Sequence, residues 1–178
     1  MGSTALASSL DPEITRKIIL RYQDRCAGVF ARFEGFLARF MEDGILAYFG
    51  YPQAHEDEPE RAVRAALELV RAVSQIETPD GARVSARVGV ATGLVVVGDL
   101  IGEGAAQEKA VVGGDAPNLA AWLQAAAAPG QVLILEPTSQ LLGASFELRS
   151  LGDYELSGIL KPIPVYAVLE EQAADSRF

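Results

Sequence analysis

The sequence is poor in the residues that most often do chemistry. It holds one cysteine, one histidine, one tryptophan and two methionines in 178 residues. A lone Cys26 cannot close an internal disulfide, and a reducing cytosol is the expected location. A thiol nucleophile needs a base beside it, and the single histidine, His55, stands in a polar acidic loop that reads as solvated surface. Positive charge is scarce as well: 15 Lys and Arg against 24 Asp and Glu leave a net charge of −9. That balance excludes the basic surface needed for nonspecific binding to nucleic acid or to an anionic membrane. No apolar run approaches the roughly 20 residues of a membrane span, and Met1 to Leu10 has neither a basic start nor an apolar core. Gly89, Gly93, Gly98, Gly102 and Gly104 form no Walker loop, because no Gly-Lys-Ser/Thr closes them. They suit close strand packing and a turn instead.

What is present is apolar residues, 49% of the chain, in alternating patterns. That is enough for one domain with a sizeable core, expected over residues 1–170 with a polar, frayed tail at 171–178. Asp11 and Pro12 read as the cap and first turn of a helix. Ile14, Ile18, Ile19, Tyr22, Cys26, Val29, Phe30 and Phe33 continue it at three- and four-residue steps, and Gly35 ends it. Pro52 to Pro59 is an acidic loop. Glu60 to Ile76 reads as a second helix with Ala62, Val63, Ala66, Leu67, Val70 and Val73 on its buried stripe. Thr78-Pro79-Asp80-Gly81 is a turn. Two strand-like runs, Val84 to Ala91 and Leu94 to Leu100, read as a hairpin joined at Thr92-Gly93, followed by a glycine-rich loop from Ile101 to Gln107. Ala110 to Val112 reads as a short strand and Asp115 to Ala127 as a helix capped by Asp115. Gly113-Gly114-Asp115 echoes a diguanylate cyclase signature, but that signature belongs to a strand-to-strand turn and here a helix follows. Val132 to Leu135, Phe146 to Leu151 and Val165 to Leu169 close the pattern as strands around a short Pro137 to Leu142 helix. The order of elements predicts an α+β sandwich, a mostly antiparallel sheet with helices packed on one face.

The most informative segment is Phe40-Met41-Glu42-Asp43-Gly44. A strand pattern (Phe36, Ala38, Phe40) runs into this acidic turn, and Ile45 to Phe49 runs out. A carboxylate between two buried strands is costly unless a cation or donor meets it, which makes Asp43 a candidate metal ligand. The bland alternative is a solvated hairpin aspartate, since Asp-Gly is a common turn.

Several segments together resemble one family. They are Gly2-Ser3-Thr4-Ala5-Leu6, the hairpin from Arg39 to Gly44 with Leu46-Ala47-Tyr48-Phe49-Gly50, and Asp57-Glu58-Pro59-Glu60-Arg61-Ala62. Arg87 to Gly93, Asn118-Leu119-Ala120-Ala121 and Leu156-Ser157-Gly158-Ile159 complete the set. The ordered motifs resemble the catalytic domain of class III adenylate and guanylate cyclases over roughly residues 2 to 170. The resemblance implies a ferredoxin-like core and a head-to-tail homodimer with composite sites. It also implies ATP, or another nucleoside triphosphate, cyclised to cyclic AMP with release of pyrophosphate. Two Mg²⁺ or Mn²⁺ ions, held by two aspartates, would lower the pKa of the attacking 3′-hydroxyl and neutralise the phosphates. Asp43 matches the second metal aspartate and Asn118 the residue that orients the ribose. Arg39 stands at the base-accepting position that family members fill with lysine. In the implied dimer, Asp43 of one copy faces Arg39 and Asn118 of the other.

Four departures oppose turnover. The strand carrying the family's first metal aspartate precedes the Gly2-Ser3-Thr4 segment and is expected to be missing. Trp122 stands where an arginine meets the developing phosphate charge, one helical turn after Asn118. Such an arginine is typically worth on the order of 10³ to 10⁵ in rate, and an indole carries no charge. Glu42 replaces a glycine beside Asp43. Val111, seven residues before Asn118, stands where the family puts a base-reading Asp or Thr, and it cannot hydrogen-bond a purine. The expectation is a cyclase-type domain that is silent or very weak, with a non-catalytic dimerisation or nucleotide-sensing module as the alternative. Outside the resemblance, Asn118 reads as a cap or surface residue, Arg39 as a charge shielding a strand edge, and Trp122 as a core or interface aromatic.

Overall fold

The computed structural model describes residues 11–41, 44–99, 109–113, 115–156 and 159–173. Helix α1 spans Pro12–Arg32 and starts as its sequence dictates. The Asp11 carboxylate accepts from the Glu13 N–H at 2.8 Å, and Pro12 occupies a first-turn position where no N–H is needed. Its end differs from expectation. Glu34, not Gly35, takes the left-handed conformation, with φ 56°. Gly35 is small for another reason: a Cβ there would sit 2.7 Å from the Phe49 ring.

Strands β1 (Phe36–Met41) and β2 (Gly44–Tyr48) pair antiparallel, with Met41 opposite Gly44. The register slips between Leu37 and Arg39, so Ala38 has no partner of its own. Leu37, Ile45 and Ala47 pack inward, while Phe40 is 44% exposed, so the turn does not lie between two buried strands. Helix α2 spans Glu58–Ser74, and its buried face is wider than the expected stripe: Val63, Ala66, Leu67, Val70 and Val73 pack as expected, and Ala65 and Leu69 join them. Ala65, Leu69 and Val73 join Cys26, Val29 and Phe30 of α1, whereas Val63 and Ala66 face the sheet. Being covered on two sides, α2 buries more than a single amphipathic stripe.

The remaining elements are β3 (Val88–Val90), β4 (Val96–Asp99), β5 (Lys109–Gly113), α3 (Ala116–Ala126), β6 (Val132–Leu135), α4 (Glu136–Leu142), β7 (Phe146–Tyr154) and β8 (Ile163–Glu171). A four-stranded sheet runs β3-β6-β8-β7, and β1-β2 and β4-β5 are separate two-stranded ribbons. The expected hairpin between the runs at 84–91 and 94–100 does not form: β3 lies parallel to β6, and β4 pairs antiparallel with β5. Periodicity identified the strands but carried no information about their partners.

The α+β class stands, but the expectation of helices on one face needs correction. Successive residues of a strand point to opposite faces. Val132 and Ile134 pack with Val63 and Ala66 of α2, while Leu133 and Leu135 pack with Leu123 of α3 and the adjoining Ala127. Helices therefore cover both faces, which is why all four residues of β6 are buried. Gly89 makes the second layer possible. A Cβ there would lie 2.7 Å from both the Gln124 nitrogen and the Leu123 Cβ, so α3 rests directly on the backbone of β3. The expected loss of a first strand concerns a segment outside the described residues.

Candidate functional site

The residues singled out above fall on three elements. Arg39 lies on β1 opposite Leu46, two residues from the end of the strand, and is exposed. Among the described residues it forms no hydrogen bond or ion pair. Asp43 and Glu42 lie outside the described residues; they connect the paired Met41 and Gly44. Val111 pairs with Val97 in the β4-β5 ribbon.

Asn118 is in the first turn of α3 and is exposed. Asp115 holds the N-cap position, but its side chain makes no capping bond, contrary to the role expected for it. The turn is helped by Pro117, whose missing N–H is no loss there. Trp122 stands one turn further along the same face. Its indole is half-buried against the Leu123, Leu133 and Val165 cluster, and it meets the Tyr154 ring edge to face, at 5.7 Å between centroids and 77° between planes. Aromatic pairs of this geometry add about 0.5–1.5 kcal/mol beyond area burial. The position expected to hold a phosphate-facing cation is thus an apolar support for the end of β7.

Among the described residues, no three His, Cys, Asp or Glu side chains converge in a way that could hold a metal ion. Burial pushes the Cys26 thiol up to about 11, against a weaker pull from a hydrogen bond with Tyr22. Fully buried and protonated, Cys26 is inert packing. Burial also raises the Tyr48 phenol. Asp57 is lowered: desolvation raises it, but the hydrogen bond and charge of Arg61 outweigh that, with help from its own backbone N–H and from His55. Asp80 is lowered by hydrogen bonds from the Thr78 hydroxyl and the Ala82 N–H, against a smaller desolvation penalty.

Sequence reasoning placed His55 in solvent. Its side chain is only 24% exposed, and its Nε2 lies 3.5 Å from Glu34 Oε2. A carboxylate 21 residues upstream gave no local signal of this partner.

The family profile of the adenylate and guanylate cyclase catalytic domain matches residues 1–170. The chain belongs to the adenylate and guanylate cyclase catalytic-domain family. An uncharacterized protein of Rhizobium meliloti is 31% identical over 179 residues, covering 100% of this chain and 17% of its own length. An adenylate cyclase of Mycobacterium tuberculosis is 29% identical over 165 residues, covering 89% of this chain and 35% of its own. This cyclase domain thus spans about a third or less of the curated relatives it matches. The guanylate cyclase domain of RhGC from Catenaria anguillulae, solved in complex with GTP, superposes with a TM-score of 0.87 at 21% identity, over 96% of this chain and 91% of that one. At that identity the likeness speaks for the shared fold. Within the described residues, no helix of this cyclase domain is long and apolar enough to cross a membrane.

Proposed function

We propose that this chain is a class III cyclase domain that binds a nucleoside triphosphate and pairs with a second copy of itself without cyclising the nucleotide at a measurable rate. The observation that carries the reading is Trp122: a half-buried indole braced by Tyr154 occupies the position where a guanidinium would neutralise the transferring phosphate. An oriented arginine of that kind contributes about 4–7 kcal/mol of transition-state stabilisation, the equivalent of 10³ to 10⁵ in rate. An indole supplies none of it.

Binding makes fewer demands than turnover. Exposed Arg39 can meet a purine or a phosphate with a flat, permanently charged fork. Exposed Asn118 carries both donor and acceptor for ribose hydroxyls. Asp43 is the residue assigned to a divalent ion, and when bound, magnesium or manganese supplies charge neutralisation on the phosphates. No chemical step follows from the described residues alone.

The test is a pair of measurements on the purified protein. Incubation with ATP or GTP and Mn²⁺ is expected to yield no cyclic nucleotide, and clear metal-dependent product would refute the silence. Calorimetric titration with non-reacting ATP and GTP analogues is expected to show saturable binding. A flat titration would remove the nucleotide and leave a purely associative domain. That second reading is favoured by Leu94 and Val96, which are 91% and 60% exposed where the chain enters β4. Sedimentation would reveal the pairing in either case.

A further inference from the structure

The Asp57 to Ala62 motif helped to define the family resemblance, yet none of its residues has a place in the site described above. Its geometry gives it one. Arg61 is only 15% exposed, and its guanidinium is forked between two carboxylates: Nη1 to Glu34 Oε2 at 2.5 Å and Nη2 to Asp57 Oδ1 at 2.8 Å. His55 Nε2 stands 3.5 Å from the same Glu34 oxygen. The His55 N–H donates to Glu58 Oε1 at 2.5 Å, and a Cβ on Gly50 would lie 2.7 Å from the Glu58 carboxyl carbon. Gly50 itself has φ 94°, a conformation that favours glycine.

The location of these contacts matters. Glu34 lies two residues before β1 begins, and Gly50 lies two residues after β2 ends. Arg61 therefore ties the root of β1, through Glu34, to the first turn of α2, and the Glu58 carboxylate of that same turn lies close against Gly50 beyond β2. Among the described residues the ribbon is hydrogen-bonded to no other strand, and an isolated two-stranded hairpin is marginal in water. Its tilt depends on packing beneath it and on how its roots are held. Glu34 adopts the left-handed backbone of a helix end, closed by the Gly35 N–H on the Phe30 carbonyl at 2.8 Å and the Glu34 N–H on the Ala31 carbonyl at 3.3 Å, and this turn presents its carboxylate to Arg61.

We propose that Arg61 is a positioning residue: held by Asp57 at the start of α2, it ties the root of β1 through Glu34 to that helix and so fixes where Arg39 stands. The clamp rests on the geometry above, and its consequence for nucleotide rests on the reading in the preceding subsection. Arginine suits the role because a planar fork can engage two carboxylates at once, which the point charge of lysine does poorly.

Hydrogen exchange on the full chain tests the clamp independently of any ligand. Arg61→Met is expected to speed amide exchange in residues 36–41 and 44–48 by about 10-fold or more, with less than about 2-fold change in β6 and β8. A uniform rise across the chain, or no rise in the ribbon, overturns the proposal. Should Arg61→Met fail to fold, Glu34→Gln removes one tine of the fork and is expected to give the same local pattern at smaller amplitude; Arg61→Lys falls between it and wild type. Titration with a non-reacting ATP analogue, with and without Mn²⁺, supplies the second readout. Arg61→Met should weaken binding both with and without Mn²⁺, because Arg39 rides on the ribbon, and unchanged binding by a variant with a loosened ribbon would overturn the positioning role. If wild type binds no nucleotide, the functional reading falls while the exchange result still decides the clamp.

Discussion

Strand β6 and the β1-β2 ribbon are built from similar apolar material, yet they are held in different ways. Val132 to Leu135 are all buried, enclosed by α2 on one face and α3 on the other and bonded on both edges to β3 and β8. No described residue of β1 or β2 is fully buried, and among the described residues the ribbon bonds to no third strand. The central sheet is fixed by apolar burial, which is strong and non-directional. The ribbon has one apolar face on the α1-α2 cluster, and an ion pair from Arg61 to Glu34 stands at the root of β1. The part of the molecule carrying Arg39 is therefore held by less burial than the central sheet. Low local stability is common where ligands bind.

Truncation separates the two regimes most sharply. Ile134→Ala, at a fully buried position, is expected to cost about 2–5 kcal/mol in urea unfolding. Leu37→Ala in the half-buried ribbon should cost less than about 2 kcal/mol. Equal losses would show that the ribbon is as integral to the core as β6. The next largest effect concerns Cys26, in the cluster on which the ribbon rests. Raising its thiol from 9.0 to about 11 leaves about 100-fold less thiolate at pH 8. Iodoacetamide should therefore alkylate the native protein at least about 100-fold more slowly than the urea-unfolded chain. A rate near the unfolded value would mean that this side opens freely.

Gly89→Ala probes the sheet from its other face. The added methyl meets the backbone of α3, and overpacking of this kind costs about 1–3 kcal/mol. Because Trp122 is the single tryptophan and rides on α3, its fluorescence reports the displacement; unchanged emission would show that the helix does not move.

The smallest effect is in acid. Asp57 and Asp80 have lowered pKa values in the fold. The stability they contribute is complete above their unfolded value near 4 and is lost as pH falls through their lower folded values. Asp57→Asn and Asp80→Asn should each flatten the loss of stability measured between pH 5 and pH 2. Steepening would reverse the assignment.

Much of the architecture was legible in advance because local rules decide it. Asp11-Pro12 starts α1 by capping, and β6 was readable as a short, wholly apolar run. The slip at Ala38 was not, because an extra residue in one strand shows only against the strand it pairs with. Of the candidate site, Asn118 and Trp122 share a helix face through their spacing alone. The bracing of Trp122 by Tyr154 joins residues 32 positions apart and could not be read from either one.

The sequence by itself determined which segments are helix or strand, the scarcity of cationic and thiol chemistry, and the presence of tryptophan where a guanidinium was expected. These follow from side-chain identity and from periodicities of two and 3.6 residues, which act over a few neighbours. Only the tertiary structure decided that β3 lies parallel to β6, that helices cover both faces of the sheet, and that Glu34, His55 and Asp57 gather on or around Arg61. Those arrangements depend on non-local packing and on charges paired across tens of residues, and no local pattern encodes them.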